Sequence, residues 1–539
     1  MMQNPLLLTN FMNRAARLFP KKEIVSVYGY STFRYTYGDW FRRTCRLARA
    51  LESLGIGKGD RVASFSLNNH RHLELYYGVP CMGAVLHTLN VRLSQEHLIY
   101  IVNHAEDKII FVDEDLYFLL EPVRDRLKTV RHYVIMSQTG VMPATALSPA
   151  VLYDELIGAF PDEYDFPTGR DENEAALICY TSATTGDPKG VVYSHRGLVL
   201  HALTAGVVLG TRESDCVLHV VPMFHANAWG APFTSTMLGC KQVLPGRQIL
   251  DMKALCGIIS DEGVTFTCGV PTIWMMLHKY LEDGGEHDFS RLHAVYSGGS
   301  AMPRHLMEDM SRKYGFNIVQ AYGMTETSPL ATAALPKSYM EGYSEKELYD
   351  VKTTAGMSVP CLDMMVKSLD TGREVAWDGA EMGEVCLRGP WIADEYYKDP
   401  ERSRATFRDG WLHTGDIATI DAEGYIRLVD RTKDLIKSAG EWISSVDLEN
   451  EIMSHPKVME AAVIGMPHEK WQERPLACVV PAPGAAGSVT EEEIIDYLKA
   501  RVAKWWVPDR VVFLEAIPKT SVGKFDKKVL RATVLPQLA

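Results

Sequence analysis

The stretch Tyr180-Thr181-Ser182-Ala183-Thr184-Thr185-Gly186-Asp187-Pro188-Lys189-Gly190 follows an apolar run, residues 175–180, that reads as a buried strand. Past the strand's end, the Thr181, Ser182, Thr184 and Thr185 hydroxyls, the backbone N–H groups around Gly186 and the Lys189 ammonium can all donate to anionic oxygens. Such a loop is suited to holding phosphate. It is not a Walker A loop, which requires G-x-x-x-x-G-K-[ST]; here Lys189 stands between Pro188 and Gly190. Ser, Thr, Gly and Pro between two elements also make ordinary turns, so the remainder of the chain has to decide.

Outward from this loop, residues 175–330 alternate short apolar runs with helical patterns. Residues 216–221, 264–270, 294–297 and 317–321 read as strands; residues 252–260, 272–281 and 303–314 read as helices, the last with Ser300 near its start, Pro303 in its first turn and Gly315 after its end. An earlier region, residues 35–140, repeats the pattern, with a helix over 40–54 and strands over 61–66 and 109–113. The expected class is α/β: mostly parallel sheets covered by helices, with ligands at the carboxyl ends of the strands. Residues 350–430 shift to short strands and glycine turns, a smaller β-rich unit inside an N-terminal domain of residues 1–430. The charged junction Arg431-Thr432-Lys433-Asp434 opens a small, mobile α+β domain, residues 431–539.

Composition narrows the function classes. At 539 residues the chain exceeds one ordinary core, so at least two domains and a cleft between them are expected. A net charge of −12 disfavours nucleic acid as a partner, since phosphate neutralisation needs an excess of Lys and Arg. The ten cysteines form no C-x-x-C and read as buried thiols in a reducing, cytoplasmic setting. No apolar stretch reaches the roughly 18 residues of a membrane span. Residues 6–19, with Arg14 and Arg17, read as an amphipathic helix packed on the body in preference to a mitochondrial presequence.

Five further elements join the loop. Ser297-Gly298-Gly299-Ser300 ends a strand where glycines allow close backbone approach, and Gln320-Ala321-Tyr322-Gly323-Met324-Thr325-Glu326-Thr327 ends the next, placing Glu326 among hydroxyls as a Mg²⁺ ligand would be. Trp411-Leu412-His413-Thr414-Gly415-Asp416 is a turn whose Asp416 can accept from ribose hydroxyls, and Arg431 offers a forked donor to ribose or phosphate. Pro518-Lys519-Thr520-Ser521-Val522-Gly523-Lys524 is a basic loop near the end of the chain. In this order and at these separations, over essentially the whole chain, the set resembles the acyl-adenylate-forming superfamily of acyl-CoA synthetases, adenylation domains and luciferase-like enzymes. The chain departs from that pattern at Ala183, where the family usually has Gly; the added methyl narrows the backbone's freedom.

The resemblance implies ATP, Mg²⁺ and coenzyme A as cofactors and a two-step reaction through an acyl-adenylate. It implies that Thr181, Ser182, Thr184, Thr185, Gly186 and Lys189 grip the β- and γ-phosphates, and that Gly298, Gly299, Ser300, Tyr322 and Gly323 surround the nucleotide. Thr325 and Glu326 would handle the α-phosphate and Mg²⁺, with Thr181 as a further metal contact, while Asp416 and Arg431 hold the ribose and Lys524 bridges carboxylate and α-phosphate. A rotation of the C-terminal domain about Lys433 would then withdraw Lys524 and bring Lys437, Gly440, Glu441 and Trp442 toward the pantetheine arm. A homodimer stays an open expectation.

The segment Pro222-Met223-Phe224-His225-Ala226-Asn227-Ala228-Trp229-Gly230 resembles that of medium- and long-chain fatty acyl-CoA synthetases and of methylmercaptopropionate-CoA ligases. His225 and Trp229 are four apart and would share a face if helical. Trp229 would wall an acyl tunnel with Gly298, Gly323 and Met324, and His225 would lie near the carboxylate. Between Val217 and Met237 only histidines can carry charge, which favours an unfunctionalised acyl chain over an amino acid. A fatty acid is the first expectation; a short thioether acid (3-methylmercaptopropionate), or loading onto a carrier protein, is the alternative.

Overall fold

The computed structural model describes residues 2–28, 31–181, 187–432, 434–438, 441–468, 470–519 and 525–538. The chain is α/β, as expected, and its two largest sheets face each other across shared helices. The first has seven strands in the order Ala150–Leu152, His132–Met136, Ile109–Asp113, Arg61–Phe65, Val85–Thr88, Ala175–Tyr180 and Gly190–Ser194, parallel except for the last pair. The second has nine, centred on the parallel run Ile318–Gly323, Ala294–Ser297, Phe266–Gly269, Cys216–Leu218, Lys241–Leu244 and Glu23–Tyr28.

The helix His70–Met82 is buried along its whole length, as a helix must be when both faces meet protein. Its charged residues are therefore paired: Glu74 accepts from Arg43 Nε at 2.7 Å and from the Tyr153 hydroxyl at 2.6 Å, and Arg71 meets Asp154 at 2.7 Å. Asn69 caps the helix by accepting from the His72 N–H at 3.0 Å. The amphipathic N-terminal segment forms the helix Leu8–Leu18 and buries Leu8, Phe11, Met12 and Ala15 in the same core. No helix among the described residues is long and apolar enough to cross a membrane.

Two sequence expectations need correction here. The strand expected over 216–221 stops at Leu218 because Asn68 takes the chain out of the sheet: its Nδ2 donates to His219 O at 2.7 Å and Val221 O at 2.8 Å, and its Oδ1 accepts from Met223 N at 2.7 Å. The helix expected from Pro303 begins at Arg304, with Pro303 as an extended N-cap residue and no side-chain cap from Ser300. All ten cysteines are free; nine are buried and Cys361 is exposed.

Residues 363–431 carry a five-stranded antiparallel sheet that includes Gly383–Arg388, Trp411–Ile420 and Ile426–Arg431. A second five-stranded sheet follows, built around the long hairpin Val458–His468 and Gln472–Pro481. Where the two meet, Lys527 lies buried against Glu449 at 2.8 Å, in reach of Asp430 at 4.0 Å, and donates to Ser445, whose hydroxyl also bonds Asp430. Removing a cation from a buried cluster strands its carboxylates. Lys527→Ala is therefore expected to lower stability by about 3–5 kcal/mol in urea denaturation, with much of the loss recovered when Glu449→Leu is added.

Candidate functional site

A cleft of about 750 Å³ opens where the carboxyl ends of the nine-stranded sheet approach the phosphate-loop strand and the Trp411–Ile420 strand. Thr181 and Lys189 close the base of the loop on each other: Thr181 N donates to Lys189 O at 2.9 Å and Lys189 N to Thr181 Oγ1 at 3.1 Å. Residues 182–186, which include Ser182, Thr184, Thr185 and Gly186, lie outside the described residues, as do Lys433, Gly440 and Lys524. Lys189 turns inward: its Nζ donates to the Tyr396 hydroxyl at 2.7 Å and stands 3.7 Å from Glu326 Oε1. Burial pulls its pKa below the usual lysine value, with Glu326 opposing the shift.

Glu326 is 3% exposed in a single 3₁₀ turn, Thr325–Thr327, held from behind by the Tyr193 hydroxyl on Thr325 O at 2.9 Å and by Ala393 N on its own carbonyl at 2.9 Å. Just before it, Gly323 has no room for a side chain, since a Cβ there would fall 1.5 Å from Pro329 O. Tyr322 donates its hydroxyl to Asp416 Oδ2 at 2.7 Å, and Arg431 Nε stands 3.1 Å from Asp416 Oδ1. One carboxylate thereby ties the carboxyl end of a strand of the nine-stranded sheet to two neighbouring strands of the β-rich sheet, Trp411–Ile420 and Ile426–Arg431.

Trp229 does not share a helical face with His225. Ala226, Asn227, Ala228 and Trp229 have φ of 41, 54, 49 and 56°, a left-handed turn that only Asn among them tolerates readily. Tertiary contact supports it: the Trp229 ring lies against Gly298, where a Cβ would come within 3.1 Å of the indole, and near Gly299, whose φ is 84°. His225, Trp229, Gly298, Gly299, Ser300, Tyr322, Gly323, Met324, Thr325, Glu326 and Arg431 all border the cleft, together with Thr181 and Lys189. Its lining stretches over residues 220–229, 249–250 and 268–276 contribute no charged group apart from His225.

Lys437 and Trp442 do not border it. Lys437 is exposed with its Nζ 4.7 Å from the centre of the Trp442 ring, and of Glu441 only the backbone, in the strand Glu441–Ile443, is described.

Two residues that sequence reading passed over shape the cleft. Tyr396 joins Lys189 to Glu326. Glu384 accepts from Gly415 N at 3.0 Å through one oxygen and meets His413 Nδ1 at 2.7 Å through the other, fixing the turn that presents Asp416. Cys386 completes a thiol, imidazole and carboxylate cluster there, but both Glu384 oxygens are engaged and Arg408 Nη2 lies 3.2 Å from the imidazole, which suits a hydrogen-bonded support more than a cation site.

Comparison with known proteins agrees with this geometry. The AMP-binding enzyme family matches residues 12–397, and the AMP-binding enzyme C-terminal domain matches residues 447–524. A long-chain-fatty-acid–CoA ligase of Thermus thermophilus is 49% identical over 536 residues, 98% of this chain and 96% of that one. A 3-methylmercaptopropionyl-CoA ligase of Ruegeria lacuscaerulensis is 41% identical over 536 residues, 98% of each. The crystal structure of ATP-bound MatB from Rhodopseudomonas palustris superposes with a TM-score of 0.84 over 100% of both chains at 25% identity. Asp416 itself does not border the cleft, although Gly415 before it and its partners Tyr322 and Arg431 do. With nearly all of its length accounted for, and its phosphate-loop lysine and buried glutamate on one cleft, the chain belongs to the AMP-binding enzyme family.

Proposed function

We propose that the chain is an AMP-forming acid–CoA ligase whose acid is a medium- or long-chain fatty acid. In the first step a carboxylate oxygen attacks the α-phosphorus of ATP, the bond to pyrophosphate breaks, and an acyl-adenylate forms. In the second the thiolate of coenzyme A attacks the acyl carbonyl and AMP leaves. The observation that carries the reading is the cleft in which cations and donors border a largely apolar wall whose one basic side chain is His225. Two anions must meet in the first step, so oriented positive charge and N–H donors provide most of the acceleration.

Lys189 and Thr181 would hold the β- and γ-phosphates together with the hydroxyls at 182, 184 and 185. Asp416 and Arg431 would take the ribose, Tyr322 and the Gly298 to Ser300 turn the adenine, and Lys524 the α-phosphate and carboxylate. Glu326, buried and bordering the cleft, and the Thr181 hydroxyl are hard oxygen donors of the kind Mg²⁺ accepts. When bound, the ion would neutralise charge on the triphosphate. Lys437, Gly440, Glu441 and Trp442 lie away from the cleft or outside the described residues, so their part in thioester formation rests on a rotation of residues 431–539 about Lys433. The buried free thiols support a reducing, cytoplasmic setting.

The relatives divide on the acid, and the apolar wall favours the longer chain. Val220, Ile249, Ile273 and Met276 offer contact area to methylenes at about 0.8 kcal/mol each. Leu250 and Met276, 59% and 41% exposed, carry the wall to the surface, where a chain longer than the cleft has a way out. Pyrophosphate release measured across saturated acids of about two to eighteen carbons should rise in kcat/KM with length and exceed that for 3-methylmercaptopropionate; a preference for the thioether acid or for amino acids would sink the assignment. In a second measurement, Lys524→Ala is expected to lose adenylate formation by about a thousandfold while still converting supplied acyl-adenylate to thioester with coenzyme A. Equal loss of both halves would remove the rotation from the scheme.

A further inference from the structure

Tyr396 has no place in the scheme so far, yet its hydroxyl borders the cleft between the Lys189 ammonium and the Glu326 carboxylate. The residue is 2% exposed. Its backbone N–H donates to Ser403 Oγ at 2.9 Å, the next N–H donates to Gly190 O at 2.8 Å, and its ring packs on Phe407 with centroids 5.1 Å apart. The side chain is thereby fixed from three sides, and the first residue past Lys189 is one of its anchors.

The hydroxyl has one proton to give and lone pairs to accept with. It accepts from Lys189 Nζ at 2.7 Å and donates to Glu326 Oε1 at 2.6 Å, while the ring face lies 4.2 Å from the same ammonium. The two opposite charges remain 3.7 Å apart, joined through a neutral oxygen. Attraction between unit charges grows as their separation shrinks and as water is excluded, so without the hydroxyl this pair would draw together into direct contact.

We propose that Tyr396 is a positioning residue for the triphosphate end of the nucleotide: its hydroxyl keeps Lys189 and Glu326 from closing into a direct ion pair and leaves each free to exchange a neutral partner for the incoming nucleotide and its metal. The inference rests on the nucleotide reading above. A direct pair would have to be broken before Lys189 could reach phosphate, and a neutral phenol is displaced with less loss. AMP has neither β- nor γ-phosphate and makes no such demand.

A tyrosine that served only to pack its loop would act through its ring, and the two roles separate by substitution. Tyr396→Phe keeps the ring on Phe407 and under Lys189 and removes only the oxygen; Tyr396→Leu removes both. Calorimetric binding of α,β-methylene-ATP, with and without Mg²⁺, is compared with binding of AMP for the wild type and both variants. In Tyr396→Phe the affinity for the triphosphate analogue with Mg²⁺ is expected to fall about tenfold, with AMP affinity held within about twofold and the melting temperature unchanged. The KM for ATP should rise while conversion of supplied acyl-adenylate keeps its rate. Unchanged analogue binding in Tyr396→Phe alongside weakened binding in Tyr396→Leu would assign the effect to the ring and overturn the proposal, as would parallel weakening of AMP and analogue. A wild-type protein that binds neither nucleotide would instead overturn the reading of the cleft.

Discussion

Lys189 carries a positive charge onto the wall of the cleft, half-buried with 30% of its side chain exposed, and the groups around it are arranged to hold it there. An ammonium removed from water has to be compensated by neighbours, or its proton is lost. The compensation comes from two directions in the sequence: Glu326, just past the end of a strand of the nine-stranded sheet, and Tyr396, in a connection between two strands of the β-rich sheet. Neither partner belongs to the seven-stranded sheet whose strands flank the lysine. The charge therefore needs three parts of the fold assembled before it is tolerated, and the same assembly leaves a cationic donor facing the cleft.

Asp416 performs a comparable junction on the other wall. It accepts from Tyr322 and pairs with Arg431, so a residue of the β-rich sheet holds a residue of the nine-stranded sheet and the last residue of the strand that leads into the C-terminal unit. Behind it, Glu384 grips Gly415 N and Thr414 Oγ1 donates to Val385 O at 2.7 Å, which leaves the turn little freedom. A carboxylate engaged at both oxygens on such a turn is fixed in orientation, and so are the Tyr322 and Arg431 groups it holds at the cleft. The Lys527 cluster lies on the far side of the same strand, in contact with Asp430, so the residue beside Arg431 is already bonded to the C-terminal unit.

What the sequence revealed and what it hid divide along sequence distance. The phosphate loop, the Tyr322 to Glu326 turn and the Thr414 to Asp416 turn announce themselves because a strand end, small residues and a polar side chain are adjacent in the chain, and the α/β alternation that carries them follows from local periodicity. Tyr396 and Glu384 carry no such signal. Tyr396 is 207 residues from Lys189 and 70 from Glu326, and read by itself Tyr396-Tyr397-Lys398-Asp399 is an ordinary surface loop. Residues 225–229 failed for a related reason. Spacing of four suggests a helix, but the backbone winds left-handed because the Trp229 ring is held against Gly298 and the indole's position fixes the turn. Local grammar describes what the chain prefers; here a distant glycine decides.

That left-handed turn is also a strained part of the cleft wall. Four consecutive residues in the left-handed region, three of them neither glycine nor asparagine, cost about 1–2 kcal/mol each, and the turn persists only while its surroundings outweigh that sum. Those surroundings include Gly298 and Gly299, which also border the cleft. Asn68 fixes the segment at its other end, through three hydrogen bonds to residues 219–223, and the Tyr76 hydroxyl bonds Met223 O. The apolar wall is thus rigid where it leaves the sheet and strained where it touches the Gly298 turn. The Gly298 turn and the strained Trp229 turn are packed on one another, and both border the cleft.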